Sequence, residues 1–154
     1  MLRLSKLTDY AVVVLVKLAT ASDTAVQTTP GISAATGVPE PTVAKVLKAL
    51  SVGGLVLSQR GARGGYRLKK PLRAISIADV IAVIDGPIAL TACVESGHGS
   101  CEVSSLCAVR GRWDLVNDAI HQALSSISLS EMRDVSLPAF ARIASEPALA
   151  HQET

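Results

Sequence analysis

The pattern of apolar and polar positions predicts a helical N-terminal half. Apolar residues recur at helical spacing over 4–18, and valines make the other face apolar too, so we expect this helix to be buried on both sides. "ISAATGV" at 32–38 predicts a short helix that ends at Gly37, and Pro41 suits the first turn of a second helix that stops at Gly53. A short helix, a tight turn and a second helix are typical of a helix-turn-helix.

The next segment changes to the alternating spacing of strands. Leu55 and Leu57 alternate with polar neighbours, the glycines of 61–65 predict a turn, and Tyr66 and Leu68 resume a strand. A glycine-rich hairpin directly after the second helix is typical of a wing. The expected fold is therefore mainly α, a winged helix-turn-helix with a small β-hairpin wing.

Further helices are predicted after the hairpin. Ser76 as the cap and Asp79 three residues later indicate a capped helix start. An apolar stripe then predicts a long C-terminal amphipathic helix suited to dimerisation, with Asn117 among the polar residues of its other side. The stripe consists of Trp113, Val116, Ile120, Leu124 and Ile127. We expect a winged helix-turn-helix domain at 1–86, a cysteine-containing loop at 87–110, the dimerisation helix and following segment at 111–137, and a flexible tail at 138–154.

Charge is concentrated in one part of the chain. Although the net charge is only +2, residues 41–78 hold eight Lys or Arg and no Asp or Glu. The remainder has seven basic and all thirteen acidic residues. A polycationic segment in an otherwise acidic chain is typical of nucleic-acid binding, and its overlap with the helix-turn-helix and the wing makes double-stranded DNA the expected partner.

The candidate DNA-reading residues lie on the second helix and at the tip of the wing. The second helix of such a motif enters the major groove with its N-terminal end. There Thr42 suits a thymine methyl group or a base acceptor, and Lys45 and Lys48 suit guanine or phosphate. Arg60 and Arg63 in the wing suit phosphates or a narrowed minor groove. The competing interpretation of the two lysines is an ordinary solvated helix face.

Motifs for a membrane protein or an enzyme are lacking. The apolar run "YAVVVLV" is too short to span a bilayer, and Asp9 directly before it does not fit a secretory leader, so we expect a soluble, cytoplasmic protein. The sequence shows no Ser/His/Asp or Cys/His arrangement for nucleophilic catalysis and no phosphate-binding loop that opens a helix. We therefore expect neither enzymatic activity nor a small-molecule substrate.

All three cysteines lie within the fifteen residues "CVESGHGSCEVSSLC". Thiols stay reduced in the cytoplasm, and an odd number does not suit a disulfide framework, so the cluster indicates metal ligands or a sensor. Zinc bound by Cys93, His98, Cys101 and Cys107 would form a Cys₃His site, although the closely spaced cysteine pairs of structural zinc are absent. A disulfide switch is the other alternative.

Three parts of the sequence resemble the IscR and NsrR family of winged-helix transcription regulators. They are "LRLSKLTDYAVVVL", "RGARGGYRL" and the three cysteines ahead of a long helix. Together with "GPIALTACV", the opening looks most like the branch that regulates SUF iron–sulfur cluster assembly. The resemblance runs from Leu2 to Met132. It implies a homodimer on a palindromic operator and an iron–sulfur cluster whose occupancy or redox state alters operator affinity, in a repressor of cluster assembly genes.

The resemblance also implies the cluster ligands. Cys93, Cys101 and Cys107 match the three cysteines of the family in order and position, and thiolates are the usual ligands of iron–sulfur clusters. Three thiolates and one other ligand fit a two-iron or a four-iron cluster, and we expect the two-iron form. Zinc remains the alternative metal.

The fourth ligand differs from that of IscR-like members. These have a histidine three residues after the last cysteine, where this chain has Arg110, which stays protonated and offers no lone pair. NsrR-like members use an aspartate from the first helix of the partner protomer, and Asp9 aligns with it. His98, within the loop itself, is the second candidate, ranked below Asp9. The competing interpretations are a helix-flanking Asp9 and a solvent-exposed loop histidine.

Overall fold

The computed structural model of the chain describes residues 3–21, 25–94 and 106–133. Within these ranges the helices are α1 (Lys6–Leu18), α2 (Thr29–Thr36), α3 (Glu40–Val52), α4 (Ile77–Ile84), α5 (Trp113–Ser125) and α6 (Leu129–Arg133), and the strands are β1 (Val56–Gln59) and β2 (Gly65–Leu68). A 3-10 turn at Leu72–Ala74 follows β2. This order confirms the mainly α fold and the winged helix-turn-helix expected from the sequence.

Helix α1 supplies one side of the hydrophobic core. Ser5 caps it, because the Ser5 hydroxyl accepts a hydrogen bond from the Thr8 backbone nitrogen at 3.2 Å. The helix packs against α2, α3 and α4 and buries Val14 and Leu15 completely. Its other face is covered less well, since Val13 is 38% exposed. The expected burial on both sides is therefore incomplete in a single chain, because the described neighbours shield mainly one face.

The turn between α2 and α3 is short and internally bonded. Gly37 ends α2 with a φ of 74°, a left-handed conformation that glycine adopts without strain. The Ser33 hydroxyl donates to the Val38 carbonyl oxygen at 2.7 Å, and the Val38 nitrogen donates to the Thr36 hydroxyl at 3.3 Å. These bonds fix the direction in which α3 leaves the turn.

The wing is an antiparallel hairpin extended by a third backbone segment. Its register places Val56 opposite Leu68 and Gln59 opposite Gly65. On the outer side of β2, Gln27 and Tyr66 exchange backbone hydrogen bonds of 2.9 and 2.8 Å. A Cβ atom at Gly65 would lie 2.6 Å from the Gln27 carbonyl oxygen, so only glycine permits this approach. The bridge was not predicted, because nothing in the local sequence marks Gln27 as a strand residue.

The C-terminal helices differ in part from the expected continuous helix. Ser76 and Asp79 form the predicted capping box of α4. Helix α5, however, ends at Ser125, so Ile127 of the predicted stripe lies beyond it. The chain turns there because the Ile77 nitrogen donates to the Ile127 carbonyl oxygen at 3.0 Å, and Ser128 starts α6 with a hydrogen bond from its nitrogen to the Glu131 carboxylate at 2.8 Å.

Among residues 3–21, 25–94 and 106–133, no helix is long and apolar enough to cross a membrane. The predicted tail at 138–154 lies outside the described residues.

Candidate functional site

The exposed face of α3 carries the predicted DNA-reading residues. Val43, Val46, Leu47 and Leu50 are fully buried against the core, which fixes the rotation of the helix about its axis. On the rest of its circumference, Thr42 is half-buried and Lys45 and Lys48 are exposed. Since the apolar face is anchored, the side of α3 that carries the two lysines faces away from the core and is open to a binding partner.

The wing places Arg60 and Arg63 at its exposed tip. The turn between them is tight, because the Gly64 nitrogen donates to the Gly61 carbonyl oxygen at 2.9 Å. A Cβ atom at Gly64 would lie 2.5 Å from the Gln59 carbonyl oxygen, so a side chain there would force the backbone to shift. The glycines therefore hold the two guanidinium groups on one compact turn.

The hairpin is fastened to the end of α3. The Leu55 nitrogen donates to the Leu50 carbonyl oxygen at 2.9 Å, and the Lys69 nitrogen donates to the Leu55 carbonyl oxygen at 3.0 Å. At Gly53, a Cβ atom would meet the Val83 side chain at 2.5 Å, so α4 packs directly against this junction. The helix that carries the exposed lysines and the hairpin that carries the arginines are thus joined by backbone hydrogen bonds.

Sequence reasoning missed Glu40, which is exposed in the first turn of α3. It lies one residue before the acid-free segment 41–78, so the count of charges in that segment did not include it. A carboxylate near a helix N-terminus is stabilised by the helix dipole, which accounts for its presence without any role in binding. Carboxylates can also accept a hydrogen bond from the cytosine amino group, and they repel phosphates.

The predicted cluster ligands are described only in part. Cys93 and Cys107 are half-buried free thiols on either side of 95–105, and Cys101 and His98 lie outside the described residues. The Cys93 sulfur lies 3.2 Å from the Thr91 hydroxyl oxygen. Asp9 is exposed in the first turn of α1. No three potential metal ligands converge within the parts of the chain that the structure describes.

The approach segment (residues 85–94) leads from α4 to Cys93, and its first residue is bound to α1. Asp85 accepts hydrogen bonds from the Thr8 hydroxyl at 2.7 Å and from the Ser5 nitrogen at 3.3 Å. Partial desolvation raises the pKa of Asp85, but the hydrogen bonds from Ser5 and Thr8 outweigh it, so the pKa lies below its ordinary value. Asp85 is therefore held as a carboxylate between the two helices.

The apolar stripe of α5 is open at its N-terminal end in the single chain, whereas Leu124 packs against the core. Trp113 is 41% and Val116 44% exposed, whereas Asn117, predicted on the polar side, is buried. The prediction was wrong because Asn117 lies four residues after Trp113 and three before Ile120, on the same side of the helix as the stripe, where its amide bonds the approach segment. An open stripe of large apolar side chains is a typical subunit interface.

Comparisons with known proteins agree with this arrangement. The sequence profile of the Rrf2 family, described as "Iron-dependent Transcriptional regulator", matches residues 4–134. A protein of Mycobacterium tuberculosis named as an HTH-type transcriptional regulator is 35% identical over 138 residues, which cover 89% of this chain and 84% of that protein. The HTH-type transcriptional regulator IscR of Enterobacter sp. is 30% identical over 85% of this chain and 79% of its own length.

A solved structure shares the fold over most of its length. CymR, the global cysteine regulator of Bacillus subtilis, superposes with a TM-score of 0.65 at 28% identity, over 86% of this chain and 97% of that chain. All of these relatives are named as regulators.

Proposed function

Because this chain belongs to the Rrf2 family of transcriptional regulators, we propose that it is a cytoplasmic homodimer whose affinity for a palindromic operator depends on an iron–sulfur cluster. Its target genes are those of iron–sulfur cluster assembly, which it represses. The observation that carries the proposal is the position of two half-buried free thiols, Cys93 and Cys107, between the winged helix-turn-helix and the open stripe of α5. Along the chain, a group bound there stands between the proposed DNA-binding part and the proposed dimerisation helix.

DNA binding uses the exposed face of α3 and the tip of the wing. Lys45 and Lys48 enter the major groove, and Thr42 at the N-terminal end contacts a base edge or a thymine methyl group. Arg60 and Arg63 contact the adjacent backbone or minor groove. The buried face of α3 and the bonded wing junction support this role, because they hold the cationic groups in a fixed relative position.

Dimerisation uses the stripe of α5. In the single chain Trp113 and Val116 leave large apolar surfaces open, and burial of such side chains against a second copy is favourable by roughly 1.5–3 kcal/mol each. A two-fold dimer also presents two recognition helices to the half-sites of a palindrome. The symmetry of the operator follows from the symmetry of the protein.

The chemistry of the donors fits an iron–sulfur cluster. Cys93 and Cys107 are free and half-buried, and the Thr91 hydroxyl can donate a hydrogen bond to a Cys93 thiolate. We expect Cys101 to be the third thiolate and Asp9 of the partner protomer the fourth ligand, with His98 as its substitute. A bound cluster, with two irons in preference to four, supplies a centre whose integrity depends on iron and oxidants. Because the two thiols are only half-buried, a cluster bound to them is accessible to iron and to oxidants.

The proposal is tested by purification without oxygen. Visible absorption together with matching contents of iron and acid-labile sulfide supports a cluster. Loss of that absorption in the Asp9→Ala variant but not in His98→Ala identifies Asp9 as the fourth ligand, and the reverse pattern identifies His98. A colourless protein with stoichiometric zinc contradicts the proposal and leaves a regulator in which the cysteines hold structural zinc. A colourless metal-free protein leaves a thiol switch.

A further inference from the structure

We infer that Asn117 is a positioning residue that joins the approach segment to α5 and thereby sets the distance between the two described cysteines. The Asn117 side-chain nitrogen donates to the Ile88 carbonyl oxygen at 3.0 Å, and the Leu90 backbone nitrogen donates to the Asn117 side-chain oxygen at 3.1 Å. Both ends of one amide are thus engaged with the backbone of a segment nearly thirty residues earlier in the chain.

The burial of Asn117 sets it apart from the rest of α5. It is 8% exposed, and within the described ranges only it and Thr8 are polar side chains that are buried. Burying an amide costs free energy unless its donor and its acceptor both form hydrogen bonds. Both groups of Asn117 do so, which indicates that these bonds serve the fold. Neither aspartate nor leucine can replace it, because a carboxylate has no donor for the Ile88 carbonyl and leucine has neither donor nor acceptor.

The position of Asn117 in the chain means that these hydrogen bonds connect segments close to the two cysteines. Leu90 lies three residues before Cys93, and Asn117 lies on the helix that begins six residues after Cys107. The amide is therefore a short mechanical link between the segment that carries the first cysteine and the helix that follows the last. Asp85 fixes the opposite end of the approach segment to α1, so the segment is bound to α1 and α5 at once.

This inference rests on the proposed function. It explains how the cysteine site is coupled to the proposed subunit interface on α5. Ligation holds Cys93 and Cys107 together only if the approach segment and α5 keep their relative position. Conversely, a change at Cys93 is transmitted through Leu90 and Asn117 to the helix that carries the open apolar stripe. Asn117 does not ligate the metal; it orients the residues that do.

The test compares Asn117→Leu with Gln122→Leu on the whole chain. Gln122 is exposed on the same helix, and its side chain makes no hydrogen bond to a described residue, so this control changes an amide to leucine without removing the link. Asn117→Asp serves as a second variant of nearly the same volume, in case leucine prevents folding. Thermal unfolding confirms that each protein is folded under the conditions of the measurement.

The first readout does not require a cluster. In metal-free protein, alkylation of each cysteine is followed by peptide mass spectrometry, and exchange of the Leu90 amide hydrogen is measured in parallel. We expect both Asn117 variants to speed alkylation of Cys93 by about tenfold relative to Cys107, and Asn117→Leu, which alone loses the acceptor, to lose the protection of the Leu90 amide. General loosening of the fold would speed both cysteines alike, and that result overturns the inference.

The second readout uses the protein purified without oxygen. The rate at which an iron chelator removes the visible absorption is expected to rise by about tenfold in the Asn117 variants and to stay unchanged in Gln122→Leu. Equal rates in all variants overturn the positioning role while the proposed cluster stands. A colourless wild-type protein contradicts the proposed function instead, and the alkylation rates alone then decide whether Asn117 positions Cys93.

Discussion

The Thr8 hydroxyl donates a 2.7 Å hydrogen bond to the carboxylate of Asp85, 77 residues farther along the chain. This contact joins the first turn of α1 to the end of α4, at the point where the chain departs toward Cys93. Thr8 is almost completely buried, and it stands next to Asp9, the proposed ligand for the partner protomer. The ligand-bearing turn and the approach segment are therefore bound to each other directly.

The Thr8–Asp85 contact predicts a stability effect that depends on pH. The pKa of Asp85 lies below 3.8, so the folded state favours the carboxylate, and this stabilisation is present above the unfolded pKa and is lost as pH falls through the folded pKa. At neutral pH, Asp85→Asn should lower the free energy of unfolding by about 1 kcal/mol. The difference from wild type should shrink as the pH falls below about 4. Urea unfolding at several pH values measures it.

Asp118→Asn is the matched control for Asp85, because Asp118 is exposed on α5 and its side chain makes no hydrogen bond to a described residue. It should leave the unfolding free energy unchanged. If the free energy of unfolding of Asp85→Asn stays equally far below that of wild type at low pH, packing, and not the charged hydrogen bonds, accounts for the effect.

The exposed lysines of α3 are expected to contribute directly to DNA affinity. Replacing Lys45 or Lys48 by alanine should weaken binding by about tenfold each, since a charge-assisted hydrogen bond contributes about 1.5–3 kcal/mol. If the lysine binds phosphate, its removal should also make the slope of log affinity against log salt shallower by about 0.9. Fluorescence anisotropy over a range of salt concentrations measures both quantities. Lys6→Ala, which removes an exposed charge from α1, should behave like wild type; an equal loss of affinity there would indicate a non-local charge effect.

The exposed carboxylate of Glu40 predicts the opposite change. Glu40→Gln removes a negative charge from the end of α3 that is proposed to face DNA, so affinity for non-operator DNA should rise by about threefold or more as phosphate repulsion falls. If the carboxylate contacts a cytosine, the preference for operator over non-operator DNA should fall at the same time. Competition titrations with both DNAs measure this preference. An unchanged affinity for both would mean that Glu40 serves only the helix dipole.

The open stripe of α5 predicts that a charge there disrupts the dimer. Trp113→Glu introduces a carboxylate into the proposed apolar interface, where an unpaired charge costs several kcal/mol, so the variant should sediment as a monomer at micromolar concentration. Gln122→Glu, which adds the same charge elsewhere on the helix, should remain dimeric. If both variants sediment as wild type does, the stripe is not the interface.

Local sequence signals predicted the elements whose bonds are local. The helix-turn-helix, the glycine turn of the wing and the Ser76–Asp79 capping box all depend on residues within a few positions of one another, and each is present. The end of α5 was predicted too late, because the apolar spacing continues to Ile127 while a tertiary bond to Ile77 breaks the helix. Ser128 and Glu131, three residues apart, are the local signal that marks this break, since the Glu131 carboxylate accepts from the Ser128 nitrogen.

Features that depend on distant parts of the chain were not predictable in this way. Asn117 stands four residues after Trp113 and three before Ile120, so helical spacing itself places it on the side of the apolar stripe, and only its polar character suggested a solvent-facing position; its bonds to the approach segment were not predictable. The bridge between Gln27 and Tyr66 likewise joins segments far apart in the sequence. The cysteine ligands were predicted from the thiols and from family resemblance, and their assignment remains a proposal, since Cys101 and His98 lie outside the described residues.

The central claim is that the cysteine-bound group controls DNA binding, and operator affinity in two states of the same protein tests it most directly. An operator fragment is selected by the protein from a random DNA pool, and its affinity is measured without oxygen before and after removal of iron, for wild type and for a variant with Cys93, Cys101 and Cys107 all changed to serine. We predict that wild-type affinity changes by about tenfold or more on iron removal, as expected for a coupling free energy of about 1–3 kcal/mol, whereas the serine variant shows a single affinity throughout. Equal wild-type affinities in the two states would contradict the claim.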